Sequence, residues 1–175
     1  METITLLPLQ GVDIENIGLL NLGSSKEDVH ALLGKPSEHT DHSWFYAKHE
    51  FRIDFDDNGD IEFIEFVFGP YPERTTLSLY GHNPFELPAA ELVALLTEHN
   101  QDGGIDDSDA AYCYTFAKLA VGIWREFTAE DVQESLVALS AEEDEYDADN
   151  EAWLARDLAM AKHFWTIGLG VDGYY

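Results

Sequence analysis

Hydrophobic residues along this 175-residue chain change their spacing several times, and each change predicts an element. Val29, Leu32 and Leu33 stand at i, i+3 and i+4, one face of a short helix. Ser24-Ser25-Lys26-Glu27 precedes them with capping-box spacing, Glu27 reaching back to the cap, and Gly34 with Pro36 supplies the stop. From Trp44 the period falls to two. Phe51, Ile53 and Phe55 alternate with Glu50, Arg52 and Asp54, Asp56-Asp57-Asn58-Gly59-Asp60 interrupts, and Ile61 and Phe63 resume: the pattern of a β-hairpin. Apolar parity slips between Phe63 and Ile64 and continues through Phe66 and Phe68, which predicts a bulge in the return strand. Leu77, Leu79 and Gly81 read as a continuation of the same sheet.

A second leucine stripe, Leu92, Leu95 and Leu96, follows Pro88, a residue tolerated in a first helical turn because its missing N–H would be unpaired there. The polar stretches Asp102-Gly103-Gly104 and Asp106-Asp107-Ser108-Asp109 form a loop, and strands are expected near 112–116 and 119–124. Thr128-Ala129-Glu130-Asp131 resembles a helix cap, with Val132, Leu136 and Leu139 as the stripe behind it. A further helix is expected from about Glu151, with Leu154, Leu158 and Ala161 facing inward. Alternation at Trp165, Ile167, Leu169 and Val171 predicts a last strand.

The two halves align faintly. Tyr46-Ala47-Lys48 with Phe51 and Ile53 matches Phe116-Ala117-Lys118 with Val121 and Ile123 at a constant offset of 70 residues, and a leucine-striped helix precedes each. A short helix with a hairpin cannot bury its own apolar face, whereas two such units can share one sheet. The expectation is an α+β protein, one domain over 1–175, built of two tandem helix-plus-antiparallel-sheet units. These cover 11–81 and 82–175, the second interrupted by a helical, acidic insertion at 128–163.

Charge narrows the partners. Thirty-five Asp and Glu against nine Lys and Arg leave a formal charge of −26, a field that repels nucleic-acid phosphates and anionic lipids and attracts basic surfaces. Neither nucleic acid nor membrane is therefore expected as a partner; a basic protein is. Hydrophobic residues at 45% and an aromatic share of 13% supply a core, so the chain folds despite its charge. The acids are densest at Glu142, Glu143, Asp144, Glu145, Asp147, Asp149 and Glu151, with Tyr146 among them, and this run is the candidate partner-binding segment. Acidity serving solubility alone is the plainer alternative. Met1-Glu2-Thr3-Ile4-Thr5 lacks the basic and apolar regions of a secretory signal, no apolar run approaches a membrane span, and Cys113 has no partner for a disulfide. The expected location is the cytoplasm.

The segment Ile17-Gly18-Leu19-Leu20-Asn21-Leu22-Gly23-Ser24, continued by Val29, Leu32, Leu33, Gly34 and Pro36, resembles the opening of two groups of small bacterial proteins. These are the outer-membrane-assembly lipoproteins of the SmpA type and the secreted β-lactamase inhibitor protein, which duplicates a similar unit. The resemblance implies architecture, helices followed by an antiparallel sheet; the chain looks more like cytoplasmic bacterial proteins of this kind of fold, a likeness that implies an immunity-type or antitoxin role. It carries no catalytic residue across, and this chain lacks both the lipidation cysteine of the first group and the paired cysteines of the second.

Candidate chemistry is sparse. Asp54, Asp56, Asn58, Gly59 and Glu65 stand at the spacing of a calcium-binding EF-hand loop, but that loop needs a helix on each side. Period-two flanks make Asp-Asn-Gly a hairpin turn instead. His39 and His42, with His49 and Glu50 downstream, are expected as exposed loop residues rather than zinc ligands. Cys113 has no adjacent base, and no serine sits in a nucleophile elbow. Trp153 is expected in the core; Tyr174 and Tyr175 either close a sheet edge or reach a partner. The reading is a non-catalytic binding protein without cofactor or metal, of unassigned oligomeric state. A small metal-dependent hydrolase using Asp, Glu and His is the alternative.

Overall fold

The chain is an α+β protein. The computed structural model describes residues 1–67, 69–140 and 148–175, with backbone only at 138–140 and 148–151. Its elements run β1 (Glu2–Leu7), β2 (Gly11–Ile14), β3 (Gly18–Asn21), α1 (Lys26–Leu33), β4 (Glu38–His39), β5 (Ser43–Tyr46), β6 (Phe51–Phe55), β7 (Ile61–Phe66) and β8 (Thr75–Ser78). Then come α2 (Ala89–Asn100), β9 (Ile105–Asp106), β10 (Cys113–Phe116), β11 (Val121–Trp124), α3 (Ala129–Ser140), α4 (Ala148–Met160) and β12 (Thr166–Gly170).

The larger sheet has eight strands in the order β4-β5-β6-β7-β12-β11-β10-β9, every pair antiparallel. Two consecutive meanders thus meet at β7 and β12, where Glu65 faces Gly168 and Phe63 faces Gly170. Insertion of α3 and α4 between β11 and β12 leaves this pairing intact, because the hairpin of helices returns the chain beside the strand it left. The turns after β5 and β10 share their geometry: Tyr46 pairs with Phe51 as Phe116 pairs with Val121, and Glu50 and Ala120 take left-handed φ of 56° and 49°.

A second sheet of four strands, β3-β2-β1-β8, does not follow from the alternation pattern alone. β8 joins it by parallel pairing with β1, Ile4 opposite Leu77, rather than continuing the larger sheet. Short strands with few residues per face carry weak period-two signals, and parallel pairing leaves no local turn to read. Gly11 is required here: its φ is 135°, and a Cβ would stand 2.0 Å from the carbonyl oxygen of Leu20.

One buried cluster joins the sheets. Ile4, Leu6, Val12, Ile14, Leu20 and Leu77 of the smaller sheet pack with Phe51, Ile53, Ile64, Phe66, Val121, Ile123, Ile167 and Leu169 of the larger, together with Val29, Leu92 and Leu96 from α1 and α2. Every residue it takes from β6, β11 and β12 is of one parity, so one face of the larger sheet is committed to the core. Glu50 pins the seam. Its carboxylate, 4% exposed, accepts from the backbone N–H groups of Glu73, Arg74 and Thr75 and from the Thr75 hydroxyl. Burial pushes its pKa up and these four hydrogen bonds pull it further down, so the net shift is downward. Beside it His49, stacked on Phe51, pairs with Glu2 of β1.

Local details depart from the pattern. The cap of α1 is Ser25, whose box partner is Asp28 rather than Glu27, one residue later than the motif suggested. The bulge lies in the return strand but at Glu62, since Asp54 pairs with Phe63 and Phe55 with Ile61. Trp153 is 51% exposed on α4, not in the core, and His49 is buried in the turn between β5 and β6 rather than exposed there.

Candidate partner-binding face

The second face of the eight-stranded sheet stays outside the buried cluster, and its residues can be read off the register. A transverse row crosses all eight strands: Glu38, Phe45, Arg52, Glu65, Gly168, Gly122, Thr115 and Asp106. Acids stand at both ends, an ion pair lies left of centre, and two adjacent glycines make the floor. Alternation on β6 explains the ion pair, because Arg52 and Asp54 share a face and Glu65 stands directly across from Arg52. One guanidinium nitrogen, Nη2, serves both carboxylates, at 3.1 Å to Asp54 and 2.9 Å to Glu65. The triad keeps one uncompensated negative charge. Burial raises the Glu65 pKa, and the neighbouring Arg52 charge and Thr166 hydroxyl only partly offset it.

The glycines are there for what covers them. A Cβ on Gly168 would stand 2.1 Å from the Phe63 ring, one on Gly122 would stand 2.1 Å from the Tyr175 hydroxyl, and one on Gly170 would collide with Tyr174. None of the three needs a left-handed backbone, so space alone selects them. Phe63 stacks on Tyr174 at 4.7 Å and 3° and meets Tyr175 edge-on at 6.3 Å. The tyrosines therefore lie across the sheet rather than along its edge. Both remain 39% exposed, and Trp124, one step along β11, is 41% exposed. Burial first raises the pKa of both tyrosines, helped at Tyr174 by Asp54 and Glu62 and at Tyr175 by Tyr174 and Glu65, so their hydroxyls stay neutral donors.

Between these rings is a hollow of about 170 Å³, bounded by Phe63, Glu65, Trp124, Thr166 and Tyr175 over the glycine floor. Cys113 lines it too. Burial and the charges of Asp109 and Asp106 raise its pKa, which keeps the thiol protonated and a poor nucleophile.

The residues singled out by the sequence fare differently. Glu142, Glu143, Asp144, Glu145, Tyr146 and Asp147 lie outside the described residues, and Asp149 and Glu151 fall in α4 where the backbone alone is described. The Asp54–Glu65 stretch is a hairpin: Asp56 accepts from the backbone N–H of Asn58 and Asp60 and from the Asn58 side chain, which closes the turn. His39 and His42 are exposed, whereas His49 and Glu50 belong to the seam. Among the described residues, no group of three or more His, Cys, Asp or Glu is arranged to hold a metal, and no helix is long and apolar enough to cross a membrane. The sequence points to the acidic run as the binding segment and to no more than a last strand here, although the glycines carry a signal for this face. Gly168 and Gly170 alternating with Ile167 and Leu169 announce a strand with one side-chain-free face, and only the fold shows that Phe63 and the tyrosines fill it.

Comparison with protein-family models, with curated proteins and with solved structures found no match.

Proposed function

We propose that this chain is a non-catalytic binding protein, of the immunity or inhibitor type, whose outer sheet face docks a basic partner protein. One observation carries the reading: a sheet face left out of the core presents half-exposed rings over a glycine floor, beside an ion-pair triad with a net negative charge. Rings of this kind supply the contact area of binding hot spots, and acids around them select a basic surface. The formal charge of −26 adds long-range attraction and raises the association rate. The acidic run at 142–151 contributes to the same field. In this reading the chain is two tandem units, supported by the matching hairpin turns at an offset of 70 residues, and it works in the cytoplasm.

Capture from a lysate of the source organism tests the proposal, with wild type and the doubly substituted Trp124→Ser, Tyr175→Ser chain immobilised side by side. A basic protein is expected on the wild type, weaker on the variant, and released between about 0.05 and 0.5 M salt as the Debye length shrinks. Recovery of neutral or acidic proteins alone, or equal recovery on the variant, contradicts it.

A further inference from the structure

The docking face holds one concavity whose chemistry is specific enough to name what enters it. We propose that the hollow between Glu65, Phe63, Trp124 and Tyr175 receives a single lysine or arginine side chain of the basic partner. This rests on the docking-face reading and gives it an anchor residue.

Three observations converge. The first is size: at about 170 Å³ the hollow is below the roughly 300–1,000 Å³ of sites for drug-sized molecules and suits one unbranched side chain. Second, its walls are rings, with Trp124 and Tyr175 half-exposed and Phe63 held by its stack on Tyr174, and ring faces attract a cation. Third, its charge is unbalanced. Glu65 and Asp54 share one guanidinium nitrogen of Arg52, and Asp106 and Asp109 lie close enough to act on Cys113 in the same hollow. The raised pKa of Glu65 agrees, since its carboxylate is desolvated beyond what Arg52 and Thr166 restore. An incoming cation offsets that deficit, whereas an anion or a neutral group does not. The Thr115 and Thr166 hydroxyls, on either side of the floor, can accept the remaining N–H groups of a guanidinium.

Nitrogen-15-labelled full chain, titrated with Nα-acetyl-arginine methylamide, Nα-acetyl-lysine methylamide and the neutral citrulline analogue, separates this anchor from the wider docking claim. Saturable shifts of the Gly122, Thr115 and Gly168 amides and of the Trp124 indole are expected with the cationic probes. The citrulline analogue and the Glu65→Gln chain are each expected to bind about tenfold more weakly. Amide dispersion of Glu65→Gln verifies its fold, and Trp124→Ser provides a second variant with the same expected loss. Shifts that are absent, that the citrulline analogue matches, or that survive Glu65→Gln overturn the anchor. If a basic protein still binds the outer face in that case, the docking reading stands without it; if the face binds neither, both fall.

Discussion

Two carboxylates in this protein, Glu50 and Glu65, are held in opposite ways, and the difference is measurable. Glu50 sits in a cradle of N–H groups and has a lowered pKa, so its stabilising contribution is complete above the ordinary carboxylate value of 4.5 and is lost as pH falls through the lowered one. Glu50→Gln is expected to cost about 1–3 kcal/mol at pH 7, and the difference from wild type should shrink in acid. Glu65 has a raised pKa, so its ionised form weakens the fold and stability declines as pH rises through its titration. Glu65→Gln is expected to leave stability at pH 7 unchanged or raised by up to about 1 kcal/mol. Urea denaturation of both variants at pH 7 and pH 4 reads the two signs; a destabilised Glu65→Gln would contradict the account of an under-compensated charge. Glycines divide similarly. Gly11→Ala drives a Cβ against a backbone carbonyl and should cost about 3 kcal/mol, while Gly122→Ala meets only the far end of the Tyr175 side chain and should cost below about 1 kcal/mol. Neither carboxylate's full environment could be read from the sequence: Glu50 is held by residues 73–75, and although the hairpin register puts Arg52 across from Glu65, the strand that buries Glu65 and supplies Thr166 is β12, about a hundred residues on.

Secondary structure was more legible where a period was sustained or a cap was present. The Ser25 box, the hairpin of β6 and β7, the helix after Pro88 and the last strand each have a local cause, and each is where the pattern places it within a residue or so. Loss of the Ser25 hydroxyl in Ser25→Ala should cost about 1 kcal/mol in a thermal or urea melt, a direct check on the cap. The four-stranded sheet leaves little local signal, for physical reasons. β2 and β3 have four residues each, too few for a period, and β8 reaches β1 by parallel pairing across seventy residues of chain. Hydrogen exchange should rank the strands accordingly. The joint of β7 and β12, with neighbours on both sides, is expected to exchange most slowly, and the two-residue edge strands β4 and β9 fastest. Fast exchange at β12 would indicate that the meanders open independently, contrary to a continuous eight-stranded sheet.

At the scale of the whole molecule, one face of the large sheet closes a shared core while the other is built around rings that cannot lie flat without Gly122, Gly168 and Gly170 beneath them. Charge motivates the proposal of a basic partner from the sequence alone; the face proposed to receive it becomes legible only in the register of the strands, because Phe45, Arg52, Glu65, Gly168 and Gly122 become neighbours only when five strands align. In the proposed reading the acidic run at 142–151 adds to the field, whereas the outer face supplies shape. Hydrogen exchange of the chain with and without the basic protein it captures at low salt measures this assignment most directly. New protection is expected across β6, β7, β12 and β11 at Arg52, Glu65, Gly168 and Gly122; protection confined to α3 and α4 or to the four-stranded sheet, with those four amides unchanged, would contradict it.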